Sequence, residues 1–351
     1  MIAVSPLPRH SVHSYYVATP ESPDGWHVLY FASQQPDAGF GDIVVYDRKT
    51  GEENAVAKGV QVEDAHRVAC QHWCDDGRCV AFQDFQNGKW VALVADRETG
   101  TCRVLAENCQ IGFAHPSSPW VPLIGFHGRP DGMTGIRLAH VQTGEIKDAV
   151  SAADVCAQYG NWVDETFGGR DISLYFPVVG PGARRMFFKV ARANGDGVNS
   201  KREGLITVDL ETGKLLSMRP SWGHPCWHPD GTRIIESKSR IVLSDTGKEI
   251  ALLPAPSQHP SPHPDGKHYV TDTYLLKDDG TASGEWAVIV NRLAGDDPHW
   301  LYRFDQTGGA KSHRVPHPHP TVSADGRRIY FNVSTGPWTR LHVAEWPETV
   351  A

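Results

Sequence analysis

Histidine is the residue type in this chain best suited to metal binding and proton transfer, and its distribution is uneven. The 351 residues include 18 histidines, with none between His140 and His224 and ten from His224 to His342. Three of these, His224, His259 and His319, each stand six residues before the aspartate of a Pro-Asp-Gly or Ala-Asp-Gly turn. Neutral imidazole ligates Mn, Fe, Ni or Zn and serves as a general base near neutral pH. The spacing predicts that the three imidazoles share one structural position in three successive repeats.

Two further positions extend this set. His317 precedes His319 by two residues, so an extended strand would place both side chains on the same side. The same count in an earlier repeat reaches Tyr175. A single His-Pro pair is commonly just tolerated at the start of a strand, but three at equivalent positions favour a site. His228 and His263 stand two residues before the turn aspartates and are interpreted as turn residues.

The elements that must position these residues are short strands separated by two recurrent turns. Pro-Asp-Gly or a variant comes before a β-rich run at residues 23–25, 75–77, 229–231, 264–266 and 324–326, with a degenerate Pro-Gly at 181–182. Thr-Gly follows such a run six times, ending at residues 51, 100, 144, 213, 247 and 308. Glycine supplies the positive φ that hairpin turns need. Each repeat is therefore expected to contain four strands.

Counting these repeats predicts an all-β fold, a seven-bladed β-propeller forming one domain over residues 1–351. The units span roughly residues 13–60, 63–108, 112–152, 172–220, 222–255, 257–314 and 316–346. The last unit lacks an obvious fourth strand, so the N-terminal segment at residues 2–5 is predicted to complete it and close the ring. Only residues 149–158 are expected to be helical. Insertions at residues 191–204 and 277–284 are predicted to be loops over one face.

Composition narrows the class of partner. The formal net charge is −7, and no basic stripe is present of the kind that nucleic-acid binding requires. Neither a secretory leader nor a long apolar run is recognisable, so a cytoplasmic protein without a membrane span is expected. The seven cysteines include no Cys-x-x-Cys pair and are expected to be reduced thiols rather than zinc ligands. An anionic small-molecule substrate remains compatible, because it needs only local positive charge.

Three segments give the chain a resemblance to the oligogalacturonate lyases. They read GHPCWHPDG at residues 223–231, QHPSPHPDG at 258–266 and HRVPHPHP at 313–320. The resemblance implies a manganese-binding seven-bladed propeller that splits short pectic fragments by β-elimination. It implies that His224 is the base and that His259, His317 and His319 hold the metal. It also places the family's blade-4 arginine at Arg202.

The chain departs from the family pattern at Arg314, where the resemblance calls for a glutamine three residues ahead of the His-x-His pair. A guanidinium cannot ligate a metal. Either the fourth ligand is His313, Gln258 or water, or Arg314 itself meets the substrate carboxylate. The leaving-group proton is assigned to Tyr175 or to water. Trp222 is a candidate for stacking on a sugar face.

The sequence thus predicts a metal-dependent lyase, with Mn²⁺ as the favoured ion, acting on short uronate oligosaccharides such as oligogalacturonides. The product would be a 4,5-unsaturated uronate. One alternative is a propeller lyase for another uronate oligosaccharide, in which arginine replaces part of the metal's role. The other is a non-catalytic propeller that binds proteins. The oligomeric state is left open.

Overall fold

The computed structural model of the protein describes residues 1–125, 133–193, 201–237, 240–253, 257–295, 298–310 and 317–348. Strands make up 50% of the described residues and helix 6%. These proportions confirm the predicted all-β class, and the chain's structural relatives are propeller-type proteins. The count of seven blades and the closed ring remain predictions, as does the single domain over residues 1–351.

Among the described residues, the first half of the chain forms fourteen strands. They are β1 (Ile2–Ala3), β2 (His10–Val12), β3 (His27–Ser33), β4 (Phe40–Asp47), β5 (Glu53–Gln61), β6 (His72–Cys74), β7 (Cys79–Gln86), β8 (Lys89–Asp96), β9 (Cys102–Glu107), β10 (Gln110–Ile111), β11 (Phe113–Ala114), β12 (Trp120–Ile124), β13 (Ile136–His140) and β14 (Ile146–Val150). Helix α1 (Ala152–Phe167) follows them.

The second half adds fifteen strands and one 3₁₀ turn (Pro181–Ala183). They are β15 (Ile172–Val179), β16 (Arg185–Arg192), β17 (Arg202–Asp209), β18 (Leu215–Arg219), β19 (Pro225–Trp227), β20 (Arg233–Glu236), β21 (Arg240–Leu243), β22 (Glu249–Ala251), β23 (Ser261–Pro262), β24 (His268–Leu276), β25 (Ala282–Arg292), β26 (His299–Asp305), β27 (Thr321–Val322), β28 (Arg328–Val333) and β29 (Arg340–Glu345).

In the described residues the strands form six sheets, mostly of consecutive antiparallel strands. Sheet B contains β6–β9, sheet C contains β10 and β12–β14, sheet E contains β19–β22 and sheet F contains β23–β26. Sheet D joins β15–β18 to β11, which runs parallel to β15. Sheet A joins β27–β29 to β2–β5 through β29 and β2. The predicted pairing of the N-terminal strand is observed, since Ile2 lies opposite Val343 and Ala3 opposite His342.

The predicted turns explain why the strands break where they do. The glycines of the Pro-Asp-Gly set all have positive φ, and so do five of the six Thr-Gly glycines. Gly308 is the exception, because the last Thr-Gly turn runs on to Gly309, whose N–H donates to the Gln306 carbonyl. The Asp47 carboxylate accepts hydrogen bonds from the N–H groups of Lys49 and Thr50, which fixes the turn locally.

The helix prediction was right in kind but wrong in its bounds. Residues 146–150 form β14 rather than the start of a helix. Ser151 and Asp154 form a reciprocal capping box that begins α1 after that strand. The helix continues to Phe167, where Gly168 in the left-handed conformation ends it. Its buried residues Val155, Val163 and Phe167 pack with side chains of sheets C and D.

Strands take up part of each predicted loop insertion. Residues 191–192 end β16 and Arg202 begins β17, while residues 194–200 between them lie outside the described part of the chain. Residues 277–281 form a tight turn and residues 282–284 begin β25, so β24 and β25 make one long hairpin. The Lys277 N–H donates to the Thr281 carbonyl across this turn.

The ends of three short strands determine where the candidate site lies. β19 packs against β23, and β23 packs against β27. His224, Gln258 and His259 precede the first two of these strands, and the 317–320 segment precedes the third. No helix among the described residues has the length and apolar character needed to cross a membrane.

Candidate active site

The structure brings together the histidines that the repeat count predicted to share one structural position. The ring centroids of His224 and His259 lie 4.4 Å apart, and those of His259 and His319 lie 4.5 Å apart. His317 joins them at 5.3 Å from His259 and 5.4 Å from His319. These four predicted site residues therefore form one cluster, built from three separate segments of the chain.

Asp272 in β24 organises two members of the cluster and was missed in the sequence. Its Oδ1 lies 2.7 Å from Nδ1 of His259 and also accepts the His259 backbone N–H at 3.1 Å. Its Oδ2 accepts the His319 backbone N–H at 3.0 Å. A carboxylate on Nδ1 places the proton there and leaves Nε2 with its lone pair, as at metal-bound histidines. The only sequence signal is an aspartate inside an otherwise apolar and threonine-rich strand.

His319 has features that suit a metal ligand. It is fully buried, and neither ring nitrogen has a hydrogen-bond partner among the described residues. A buried imidazole without partners is costly unless another group satisfies it. Burial lowers its pKa well below the usual value, and neighbouring His259 and His66 lower it further. Its φ of 45° is rare for a residue with a side chain, and the hydrogen bond to Asp272 helps to hold it.

Asn332 in β28 fixes the backbone on either side of His319. Its side-chain amide donates to the His317 carbonyl at 3.4 Å, and its backbone N–H donates to the Pro318 carbonyl at 2.8 Å. Its Oδ1 accepts the His13 backbone N–H at 3.3 Å. The His-x-His segment is thus held in place by hydrogen bonds from the sheet behind it.

His66 is a further histidine in the cluster that repeat counting could not find. Its ring centroid lies 4.4 Å from that of His317 and 4.7 Å from that of His319. One ligand nitrogen from each of these three residues lies within 4.8 Å of the other two. His66 precedes β6 in a turn and does not occupy the position shared by His224, His259 and His319. No repeat signal marks it.

His224 lies at the more open side of the cluster and is partly exposed. Burial lowers its pKa well below the usual value, and His259 and Lys189 act in the same direction. The Trp222 ring stands edge-on to His224, with centroids 5.6 Å apart. Tyr16 donates its hydroxyl proton to the Pro225 carbonyl, next to His224. The imidazole is therefore held neutral and anchored on both sides.

Lys189 is a second residue that the sequence did not single out. Its ammonium lies 4.0 Å from the ring centroid of Trp222 and 4.6 Å from that of Phe176. It also donates to the Gly223 carbonyl at 2.8 Å. The side chain is almost fully buried, and burial lowers its pKa well below the usual value. Lys189 thus holds the segment from Trp222 to His224 in place through its contacts with Trp222 and Gly223.

Arg202 and Tyr175 form a pair beside this segment. The guanidinium carbon lies 5.3 Å from the Tyr175 ring centroid. Arg202 begins β17 and is partly exposed, and its position on a strand rather than a loop gives it a more defined direction. Tyr175 is buried in β15, and desolvation raises its pKa although Arg202 opposes the shift. Its hydroxyl therefore stays protonated at neutral pH.

Two predicted site residues, His313 and Arg314, lie outside the described residues. Gln258, the other side chain considered as the fourth ligand, donates its backbone N–H to the Asp272 carbonyl at 2.9 Å. The aromatic rings of Tyr15 and Tyr16 pack against the cluster. The ring centroid of Tyr15 lies 4.5 Å from that of His319, and the ring centroid of Tyr16 lies 5.1 Å from that of His259. Neither tyrosine was predicted.

His228 and His263 take part in hydrogen bonds between neighbouring turns, as turn residues should. Nε2 of His228 lies 3.0 Å from the Gly266 carbonyl, and Nε2 of His263 lies 3.0 Å from the Gly326 carbonyl. In each case Nδ1 accepts the N–H of the turn aspartate. His263, Asp265 and His268 also form a group with metal-ligand spacing, but Asp265 is already engaged with Nδ1 of His268 at 2.6 Å.

Solved structures with the same fold include two oligogalacturonate lyases. One, from Vibrio parahaemolyticus, has a TM-score of 0.66 at 13% identity, covering 99% of this chain and 94% of that one. Another, in complex with manganese, has a TM-score of 0.67 at 15% identity, covering 99% and 93%. A chain of the mitotic checkpoint complex reaches a TM-score of 0.58 at 12% identity, covering 96% and 89%.

No protein-family model and no curated protein matches this sequence. At 12–15% identity the structural likeness shows a shared fold and nothing finer. The mitotic checkpoint protein has the same kind of fold as the two lyases, so the fold does not choose between catalysis and protein binding. That choice depends on the side chains of the histidine cluster.

Proposed function

We propose that this protein is a metal-dependent lyase that cleaves short uronate oligosaccharides of the oligogalacturonide type by β-elimination. The observation that carries the proposal is the convergence of His224, His259, His317 and His319 on one spot, with His259 oriented by the buried Asp272. A protein-binding platform has no need of a fully buried imidazole such as that of His319, whose ring nitrogens have no hydrogen-bond partner among the described residues. The full-length likeness to two oligogalacturonate lyases supports the proposal.

His224 is the proposed base. β-Elimination removes the C5 proton of a uronate, forms the C4–C5 double bond and breaks the bond from C4 to the glycosidic oxygen. A base for this step must be neutral before the reaction and open to the substrate. His224 meets both conditions, because it is partly exposed and its pKa is lowered by burial and by its neighbours.

The substrate carboxylate requires positive charge, since negative charge develops on it as the C5 proton leaves. Arg202 is the proposed partner for that carboxylate because its guanidinium is always charged and because it is the first residue of β17. Arg314 is proposed to assist it, on the basis of its place in the sequence alone. Trp222, whose ring packs between His224 and Lys189, is proposed to support a sugar face.

The leaving oxygen must receive a proton as the glycosidic bond breaks. Tyr175 is proposed as its donor, because its hydroxyl stays protonated and lies beside Arg202. Water is the alternative donor.

The divalent ion would be held by His259, His317 and His319, with His313 as a further proposed ligand, and it would supply a Lewis acid for the carboxylate. The chain's residues fit such an ion, because the buried nitrogens of His319 have no other partner among the described residues. Mn²⁺ is the ion that the resemblance favours. We further propose that sheets A–F complete a closed seven-bladed ring within one domain, and the cytoplasmic location stays a prediction.

The test is an elimination assay on purified protein with added Mn²⁺. Saturated digalacturonate should give the ultraviolet absorbance of a conjugated unsaturated uronate, whereas neutral digalactose should give none because it lacks the carboxylate. His224→Ala should lower kcat by about 10²–10⁴-fold, the usual contribution of a general base. His228→Ala, four residues away in the same repeat, is the matched control and should retain activity.

Absence of product from digalacturonate at all metal concentrations would refute the oligogalacturonide assignment. A panel of other uronate disaccharides then tests the alternative lyase. Full activity in His224→Ala would refute the assigned base even if the reaction occurs.

A further inference from the structure

We propose that His66 is a metal ligand of this site, an additional protein imidazole beside His259, His317 and His319. The inference rests on the proposed function only in requiring that the cluster binds a divalent ion. It extends that proposal by giving this chain a donor set different from the one that the sequence resemblance implies, where an amide oxygen occurs at the position of Arg314.

Geometry carries the inference. His66, His317 and His319 form the group in which one ligand nitrogen per residue lies within 4.8 Å of the other two. The His66 ring is nearer to His317, at 4.4 Å between centroids, than His259 is, at 5.3 Å. All three rings of the group are buried or half-buried. His66 is thus nearer than His259 to His317, and its ring centroid lies 4.7 Å from that of His319, compared with 4.5 Å for His259.

The backbone around His66 is held rigidly, as a ligand position requires. The Asp64 carboxylate accepts the N–H groups of His66 at 2.9 Å and of Arg67 at 3.0 Å. The Val68 N–H donates to the Asp64 carbonyl at 3.1 Å, and Val68 has a φ of 45°. This closed turn presents His66 from the segment between sheets A and B.

Donor chemistry gives the inference a measurable consequence. Imidazole favours later first-row ions such as Co²⁺, Ni²⁺ and Zn²⁺, whereas carbonyl and carboxylate oxygens suit Mn²⁺ and Mg²⁺. A given protein site generally binds Zn²⁺ and Co²⁺ more tightly than Mn²⁺. Tighter binding of one ion over another in the wild-type chain therefore does not identify the ligands. The informative quantity is how the two affinities change when the His66 imidazole is replaced by an amide.

The experiment measures Co²⁺ and Mn²⁺ affinities of the full, metal-stripped chain by competition with a chromophoric chelator. His66→Gln should weaken Co²⁺ binding by roughly 100-fold and Mn²⁺ binding by no more than about 10-fold, since an amide oxygen replaces a nitrogen donor. The visible absorption bands of bound Co²⁺ should change in the same variant. His140→Gln, in β13 against the Trp120 ring, is the control and should change neither affinity.

Unchanged Co²⁺ affinity and spectrum in His66→Gln would overturn the inference. An equal loss of Co²⁺ and Mn²⁺ binding would also overturn it, because that result indicates a structural role. Circular dichroism and the thermal transition of each variant establish folding, and His66→Asn offers a second, shorter amide. These readouts do not depend on lyase activity. A wild-type chain that binds Co²⁺ as expected but leaves digalacturonate intact refutes the proposed substrate and leaves the ligand assignment standing.

Discussion

Two histidines recur in the same repeat, four residues apart, and the structure uses them differently. The first histidines, His224 and His259, stand at the starts of β19 and β23 and contact each other with ring centroids 4.4 Å apart. The second histidines, His228 and His263, stand past the ends of these strands, and each pairs with the carbonyl of the next turn. Position along a short strand thus separates a chemical role from a structural one.

The physical reason is the presence or absence of a backbone partner. At the turn end, the glycine carbonyl of the neighbouring repeat lies 3.0 Å from each imidazole and satisfies it. At the start of the strands, imidazoles face other imidazoles, and His319 finds no partner for either nitrogen in the described part of the chain. Buried polar atoms without partners are uncommon, and a bound metal ion would satisfy those of His319.

The largest expected contrast is in metal binding. His319→Ala removes a fully buried imidazole whose only proposed partner is the ion, so affinity for a divalent metal should fall by roughly 100-fold or more. His263→Ala should leave affinity within about two-fold, although His263 belongs to the other group with ligand spacing. Chelator competition measures both. If His263→Ala alone lost metal binding, the ion would instead be assigned to the group formed by His263, Asp265 and His268.

A smaller effect is expected from the carboxylate behind the cluster. Asp272→Asn places an amide NH₂ against either the His259 or the His319 N–H, so affinity should fall by about 10–100-fold. Asp265→Asn removes the same kind of carboxylate–imidazole pair, with His268, from the turn end. That control should bind metal normally. Equal affinities in the two variants would show that Asp272 has no special part in positioning.

Stability should show the opposite ranking of the two histidines. His228→Ala leaves the Gly266 carbonyl and the Asp230 N–H without their partner and should cost about 1–3 kcal/mol of unfolding free energy. His224→Ala removes a partly exposed ring and should cost less than about 1 kcal/mol. Urea unfolding measures both values. A reversed order would contradict the division of roles between the two ends of the strand.

A further effect on stability concerns the glycines that accept these hydrogen bonds. Gly326 has a φ of +75°, and an added Cβ would lie 2.5 Å from Nε2 of His263. Gly326→Ala should therefore cost about 1–2 kcal/mol. Gly336→Ala, where nothing lies within 4 Å of the added atom, should change stability by less than about 0.5 kcal/mol. Thermal unfolding with matched baselines compares them, and equal costs would rule out the contact with His263.

Much of the candidate site was readable from the sequence because propeller-type repeats make position periodic. Counting back from each turn aspartate located His224, His259 and His319, and the structure places them in contact. Periodicity carries no information about residues outside the register. His66 comes from a turn between two sheets, and Asp272 and Lys189 come from strands that neighbour the histidine segments only in the fold.

The same limit explains the errors in the secondary structure. Residues 277–284 contain Asp-Asp-Gly and resemble a loop, yet pairing across β24 and β25 extends both strands to within a few residues of the turn. The helix was predicted from composition at residues 149–158, whereas the Ser151 capping box and Gly168 set its bounds. In both places a partner distant in sequence, or a cap, outweighed local composition.

By itself, the sequence determined the all-β class, the turns and the histidines that share one structural position. The class and the histidine positions follow from local spacing, and the turns follow from the φ values that glycine allows. Tertiary structure decided which imidazoles meet, which carboxylate orients them and which histidines are satisfied by a carbonyl instead. Those outcomes depend on distances between segments more than 200 residues apart, such as His66 and His319 at 4.7 Å. A ligand set is a property of packing, which local spacing does not encode.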